Sequence, residues 1–361
     1  MTAASLSPSI LNLREQVQHL TPDAAARFRR IYDVTESEGR MRVPSTMAPW
    51  VERTFGSVAA VESQRIVRVS NLVTGEGSIF NELRARRPVR GSASSGDIAG
   101  ELANDPWAHP EESTPEDLFG RLRNNAALTA ANVAKYDAHH SLLVFEEADP
   151  LRFDRASVRG CLALADRWFA AANEADPDAV YPFFLWNCLW RAGGSIVHGH
   201  AQVQLARKRH YARIESLRAA AAAYRAEHGT DYFDDLTAVH AALGLGWTQG
   251  SARVLASLTP TKEKETLILA PSFDEDAADA LYATLAVFRD ALGVQSFNAV
   301  ALLPPLRPVN EDWSNFPCVL RVVDRGPISV KSSDIGSMEL FAEPVIASDP
   351  FVVAGALREQ R

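Results

Sequence analysis

Residues 193–205 read GGSIVHGHAQVQL, and within them His198, His200, Gln202 and Gln204 recur at every second position. Gly199, Ala201, Val203 and Leu205 fill the gaps. This is the period of a β-strand. Such a strand carries two imidazoles and two amides on one face. Its other face is small or apolar and suits a core. Two His and two Gln stacked together after a Gly-Gly-Ser turn point to chemistry rather than to a solvated surface.

Two chemistries use such a face. His-x-His on a strand turns both rings to one side, as zinc sites do. A catalytic zinc needs three protein ligands and a structural one four, and the neighbouring sequence does not supply the rest. The alternative is nucleophilic catalysis. A neutral imidazole attacks at pH 7 without a base to activate it. A Gln two residues on can donate an amide N–H to developing negative charge. A glycine turn in front leaves room for a phosphate and can aim backbone N–H groups at it. The nucleophilic reading employs all of these residues, the metal reading only two.

His-x-His-x-Gln after Gly-x-Ser resembles the motif of the nucleotide-transferring branch of the histidine-triad superfamily. That branch contains galactose-1-phosphate uridylyltransferase and the dinucleoside tetraphosphate phosphorylases. The resemblance implies that His200 attacks an α-phosphorus and becomes a nucleotidyl-histidine, that Gln202 holds the phosphoryl group, and that His198 orients the second ring through the local backbone. Asn187, eleven residues before His198, matches a family Asn that contacts phosphates. Ser195, beside Gly194, matches a motif Ser that can bond a phosphate oxygen.

Earlier in the chain, RIVRVSNLVTGEGSIFNELRARRPVRG (65–91) alternates from Ile66 to Leu72, turns at Thr-Gly-Glu and resumes as a second short strand, the pattern of a hairpin. From composition its arginines read as a solvated basic turn. The uridylyltransferases open with a similar hairpin and an Arg-Ala-x-Arg-Pro segment whose two arginines reach the nucleotide phosphates. These match Arg84 and Arg87, and guanidinium suits bidentate phosphate binding. The family places a zinc-binding Cys-x-x-Cys in the region of residues 91–113. That stretch reads here as a small, polar, acidic loop, and no cysteine lies between residues 1 and 160. The expectation is that the structural zinc is lost and that the chemistry needs no metal or other cofactor.

The chain has 361 residues, 47% apolar and 23% charged, with a net charge of −8. These values are ordinary for a globular protein and unlike a general nucleic-acid binder. No apolar run approaches membrane-spanning length. The first residues lack the basic start and apolar core of a signal peptide. Cys161, Cys188 and Cys318 form no CxxC and no even set. A cytoplasmic protein is expected, with no membrane or nucleic-acid partner.

Residues 1–64 show helical fragments at Leu11–Leu20 and Asp23–Tyr32, broken by prolines, and read as a helical extension without chemistry. Thr114-Pro115-Glu116-Asp117 carries a helix-start signal. Asn125 is a candidate contact for base or ribose, whereas His139 and His140 read as structural. A strand over 141–145, an amphipathic helix over 154–173 with Val158, Leu162, Ala165 and Phe169 in its stripe, a strand over 180–186 and the motif strand make one unit. Helices over 207–228 and 234–243 follow. A strand over 266–270, a helix over 274–292 and strands over 297–303 and 318–323 repeat the order, with CVLRVVDR where the first copy has HGHAQVQL.

The expected fold is α+β and histidine-triad-like. Duplicated strand-helix-strand-strand units form a mostly antiparallel sheet flanked by helices. The expected divisions are an extension (1–64), a first unit with the motif (65–210) and a degenerate second unit (211–361). Near the C-terminus, Glu339 matches a family Glu that helps hold the hexose, often across a dimer interface. Family residues around it are replaced, by Ser333-Asp334 and Met338. The resemblance implies a homodimeric nucleotidyltransferase working on a nucleotide donor and a phosphorylated small-molecule acceptor, a sugar 1-phosphate. A phosphorylase using inorganic phosphate, a nucleotide-binding protein without turnover and a metallohydrolase are the alternatives.

Overall fold

The computed structural model describes residues 7–81, 83–84, 98–330 and 334–359. Thirteen strands make two sheets: β1 (Tyr32–Arg40), β2 (Ser63–Asn71), β3 (Gly77–Phe80), β4 (Ala127–Ala131), β5 (His139–Phe145), β6 (Ala179–Asn187), β7 (His200–Arg207), β8 (Gly246–Gln249), β9 (Ala252–Ala256), β10 (Thr266–Ala270), β11 (Phe297–Leu302), β12 (Cys318–Asp324) and β13 (Val345–Ile346). The large sheet runs β4-β5-β7-β6-β11-β12-β10-β9-β8, antiparallel throughout. The small one runs β1-β2-β3-β13, with only β3 and β13 parallel.

The large sheet has two halves, joined where β6 pairs with β11, while β2 and β3 of the expected first unit and β13 of the expected second lie in the small sheet. Gln202 stands opposite Leu142 and Leu185, Leu185 opposite Val300, and Val300 and Leu267 opposite Arg321. One row thus crosses six strands and reads the same from either end. Across this approximate two-fold, Arg321 is the counterpart of Gln202 and Val319 of His200. The expected match of CVLRVVDR to HGHAQVQL is therefore off by one residue. A slip of one exchanges the two faces, and CVLRVVDR, with apolar residues in both alternate sets, carries no clean period-two pattern to forbid it.

The helices Arg155–Ala175 and Glu275–Asp290 cover the same face. Asp154 caps Arg155–Ala175, accepting from the Ser157 amide at 2.7 Å. That helix buries Val158, Leu162, Ala165, Trp168 and Phe169 against Ala201, Val203 and Leu205. Asp274 caps Glu275–Asp290, which packs over Cys318, Leu320 and Val322. The opposite face carries Gln202 in the first half. In the second half it is covered by a second core that includes Phe28, Ile31, Val67, Val69, Tyr232 and Phe233.

Three expectations change. The N-terminal extension is not purely helical: after helix Pro22–Ile31 it supplies β1, nine residues paired with β2 from Tyr32↔Asn71 to Arg40↔Ser63. Its polar, charged sequence hides it, because β1 is an exposed strand with Tyr32 its one buried residue. No helix starts at Thr114; Pro110–Ser113 is the short helix there. Asp117 instead turns inward to accept from the Ser141 hydroxyl and from Trp168 Nε1 at 2.8 Å. The motif strand begins at His200, so His198 precedes it.

The Asn71–Glu76 turn is pinned by its own side chains. Asn71 Oδ1 accepts from the Val73 and Thr74 amides, both at 3.0 Å, and Asn71 Nδ2 donates to the Tyr232 hydroxyl. Glu76 meets Arg321 Nη1 at 2.6 Å, while Arg321 Nε meets the fully buried Glu265 at 2.6 Å. This triad clamps the small sheet onto the second half of the large one. Replacing Arg321 leaves Glu265 buried without its cation, a loss worth ~3–5 kcal/mol. Arg321→Met is expected to lower the free energy of denaturant unfolding by that amount; a loss under ~1 kcal/mol would show that the clamp is dispensable.

Candidate active site

His200 and Gln202 lie on β7 with their side chains on the face away from the long helices. Two glycines admit the chain to this geometry. A Cβ on Gly199 would stand 2.8 Å from the Phe145 ring, and one on Gly194 would stand 2.9 Å from the Asn187 carbonyl. Both positions are too tight for any side chain.

The His200 ring is buried, and its Nδ1 lies 2.8 Å from the His198 carbonyl oxygen. A carbonyl only accepts, so Nδ1 carries the proton and Nε2 the lone pair. Nε2 has no hydrogen-bond partner among the described residues. Burial lowers the His200 pKa from the usual imidazole value, and the neighbouring His198 ring lowers it further, against the bond to the His198 carbonyl. The ring is therefore held neutral, with no partner on Nε2 among the described residues.

The two side amides near His200 are both held by their oxygens. The Tyr136 backbone N–H donates to His140 Nδ1 at 3.0 Å, so His140 Nε2 carries the ring proton. Nε2 then donates to Gln202 Oε1 at 2.9 Å, and Asn132 Nδ2, 3.2 Å from the same nitrogen, is a neighbour rather than a donor. Burial lowers the His140 pKa, and the Tyr136 ring stacks on its ring at 4.6 Å. On the next strand, Asn298 Nδ2 donates to Asn187 Oδ1 at 2.7 Å, and Asn298 Oδ1 accepts from Arg325 Nη1 at 2.5 Å. Gln202 and Asn187 are thus left with free N–H₂ groups, which suit phosphate oxygens. His140, read from sequence as structural, supports the site directly. Asn298 and Arg325 carry no sequence signal for this role, since only the β6–β11 pairing brings them to Asn187.

His198 makes two bonds of its own. Nδ1 lies 2.6 Å from Asp105 Oδ2 and Nε2 2.8 Å from the Phe145 carbonyl. Both nitrogens thus face oxygens. Trp107 packs edge-on to His200 at 5.0 Å and to His198 at 6.1 Å. Asp105 and Trp107 come from the stretch read as a plain loop.

The remaining candidates are more dispersed. Ser195 is exposed in the turn and Gly194 is buried beneath it. Gln204 lies 2.9 Å from the Tyr211 hydroxyl and is engaged there. Arg84 is exposed just after β3 and lines a cleft with Met41, Met47 and Trp50; Arg87 lies outside the described residues. Asn125 is exposed in the turn before β4, where Asn124 donates to the Gly160 carbonyl on the helix side of the sheet. Glu339 Oε2 accepts from the Gly336 amide and caps its own short helix. Nothing in the described residues joins Arg84, Asn125 or Glu339 to His200.

No family model matches the sequence, and no curated protein matches it. Solved structures do match the fold. An ADP-glucose phosphorylase from Arabidopsis thaliana with bound ADP-glucose gives a TM-score of 0.59 at 17% identity, over 80% of this chain and 96% of that one. The chain has the uridylyltransferase-type histidine-triad fold. A GalT-like protein of the same plant gives 0.59 and 17%, over 80% of this chain and 97% of its own. A uridylyltransferase gives 0.55 and 14%, over 81% and 97%. Among the described residues no helix is long and apolar enough to cross a membrane.

Because burial holds both rings neutral, His200 and His140 are expected to titrate below the ordinary imidazole value of about 6.5. Histidine ring resonances followed by NMR from pH 8 to 4, assigned with His200→Ala and His140→Phe, measure this. A His200 midpoint at or above 6.5 would mean that the nitrogen facing the site is protonated near neutral pH.

Proposed function

We propose that this protein is a nucleotidyltransferase working through a covalent nucleotidyl-histidine on His200. The observation that carries the reading is the buried His200 ring, with Nδ1 bonded to the His198 carbonyl and Nε2 without a partner among the described residues. The Nε2 lone pair forms a bond to the α-phosphorus of a nucleotide sugar or dinucleotide, and the bond from that phosphorus to the leaving phosphate oxygen breaks. Nδ1–H stays on the His198 carbonyl, which stabilises the charge developing on the ring. Gln202 and Asn187 donate to the phosphoryl oxygens. Ser195, the Gly194 backbone, Arg84 and Arg87 are further phosphate contacts in this reading. An oxygen of the acceptor phosphate then attacks the same phosphorus, the N–P bond breaks, and the neutral imidazole returns. Two in-line displacements restore the configuration at phosphorus. Positioning and charge neutralisation supply most of the rate.

The acceptor in this reading is a sugar 1-phosphate. Phosphorolysis with inorganic phosphate is the second reading, favoured by the fold shared with an ADP-glucose phosphorylase. The chemistry is metal-independent, since both His198 nitrogens already face oxygens and offer no lone pair to a metal. Glu339 as an acceptor contact and a homodimer belong to the same proposal.

Intact-protein mass spectrometry after mixing with a panel of nucleotide sugars and dinucleotides tests it. The wild type is expected to gain the mass of one nucleotidyl group, a nucleoside monophosphate less water, which names the base. His200→Ala is expected to gain nothing, and EDTA to leave the adduct unchanged. Nucleotide binding without any adduct would make the protein a binder and overturn the proposal.

A further inference from the structure

Asp105 lies 93 residues from His198 in the chain. Its carboxylate nevertheless ties two parts of the site together. Oδ2 takes His198 Nδ1 at 2.6 Å, and Oδ1 accepts from the Trp107 backbone amide at 2.9 Å. Both members of the ion pair are buried, with side chains 6% and 7% exposed for His198 and Asp105. A carboxylate there stands only because it is paired. The second His198 nitrogen is fixed on the Phe145 carbonyl, at the end of β5. The ring is therefore held at two points, one on a strand and one on the 103–109 loop.

The consequence falls on His200. His198 precedes β7, where no ladder of its own defines its carbonyl. That carbonyl is what His200 Nδ1 bonds. With the His198 ring held at both ends, its backbone carbonyl is aimed at His200 Nδ1. Trp107, positioned by the other carboxylate oxygen, packs on His200 among Ala130, Leu142, Val144 and Ile196.

We propose that Asp105 is a positioning residue for the His200 nucleophile: by gripping His198 it holds the carbonyl that keeps the His200 proton on Nδ1 and the lone pair on Nε2. This rests on the proposed covalent mechanism. Asp105 touches no reacting atom and acts through His198. Removing its charge leaves His198 on one anchor and lets His200 sample the tautomer with the proton on Nε2, which cannot attack.

The test compares wild type, Asp105→Asn and Asp105→Ala in two measurements. In single-turnover nucleotidylation followed by mass, the variants are expected to react about tenfold to a hundredfold more slowly, with the donor Kd unchanged. In ¹⁵N NMR of the histidines without ligand, wild-type His200 is expected as the Nδ1–H tautomer alone, and the variants as a mixture. Thermal unfolding of each variant accompanies both. Unchanged rates overturn the inference. So does a rate loss that follows lost folded protein while the His200 tautomer stays as in wild type. Absence of any adduct in the wild type overturns the covalent mechanism instead; the tautomer measurement then still decides whether Asp105 sets the His200 ring.

Discussion

The pairing of β6 with β11 is the constraint on which the rest depends. It joins two strand-helix-strand-strand units, with β4 added at one edge and β9 and β8 at the other, into one nine-stranded sheet with helices Arg155–Ala175 and Glu275–Asp290 on one face. The other face is then continuous across the junction. In one half it carries His200, Gln202 and Asn187. In the other it carries Val319 and Arg321 under a second core. One arrangement of backbone supports two fates for the same face, and the residue types at equivalent positions decide between them. A valine, Val319, at the position equivalent to His200 offers no imidazole there. An arginine at the position equivalent to Gln202 becomes a clamp between sheets, satisfied by Glu76 and Glu265.

The same junction orients the candidate site. Asn187 belongs to the first half, yet the group that holds it, Asn298, belongs to the second, and Arg325 holds Asn298 in turn. On the other side His140 performs the equivalent task for Gln202. An amide can present oxygen or nitrogen by a simple flip. Occupying the oxygen with a protein donor removes that ambiguity before a ligand arrives. Pre-organised donors of this kind are worth more than donors that must turn on binding.

Much of this was legible beforehand. The long helices, the strands around them and the repeat follow from apolar periodicity and capping aspartates, which are local signals. The motif strand announced itself by alternating polar and small residues. Strand β1 escaped because an exposed, charged strand buries too little to show a pattern. The apparent helix start at Thr114 failed because Asp117 found buried partners in Ser141 and Trp168, and tertiary bonds outweigh a weak local propensity.

What the amino-acid order determined by itself is which groups come together: an imidazole, an amide two residues on, and glycines where no side chain fits. These are properties of residue types at short spacing, and a strand's period is enough to put them on one face. Tertiary structure alone decided which end of each amide faces the site, and that Asp105, Trp107, His140 and Asn298 stand behind it. Those features depend on hydrogen bonds between residues up to 111 positions apart. No local pattern encodes such distances, because only the closed sheet brings the partners within bonding range.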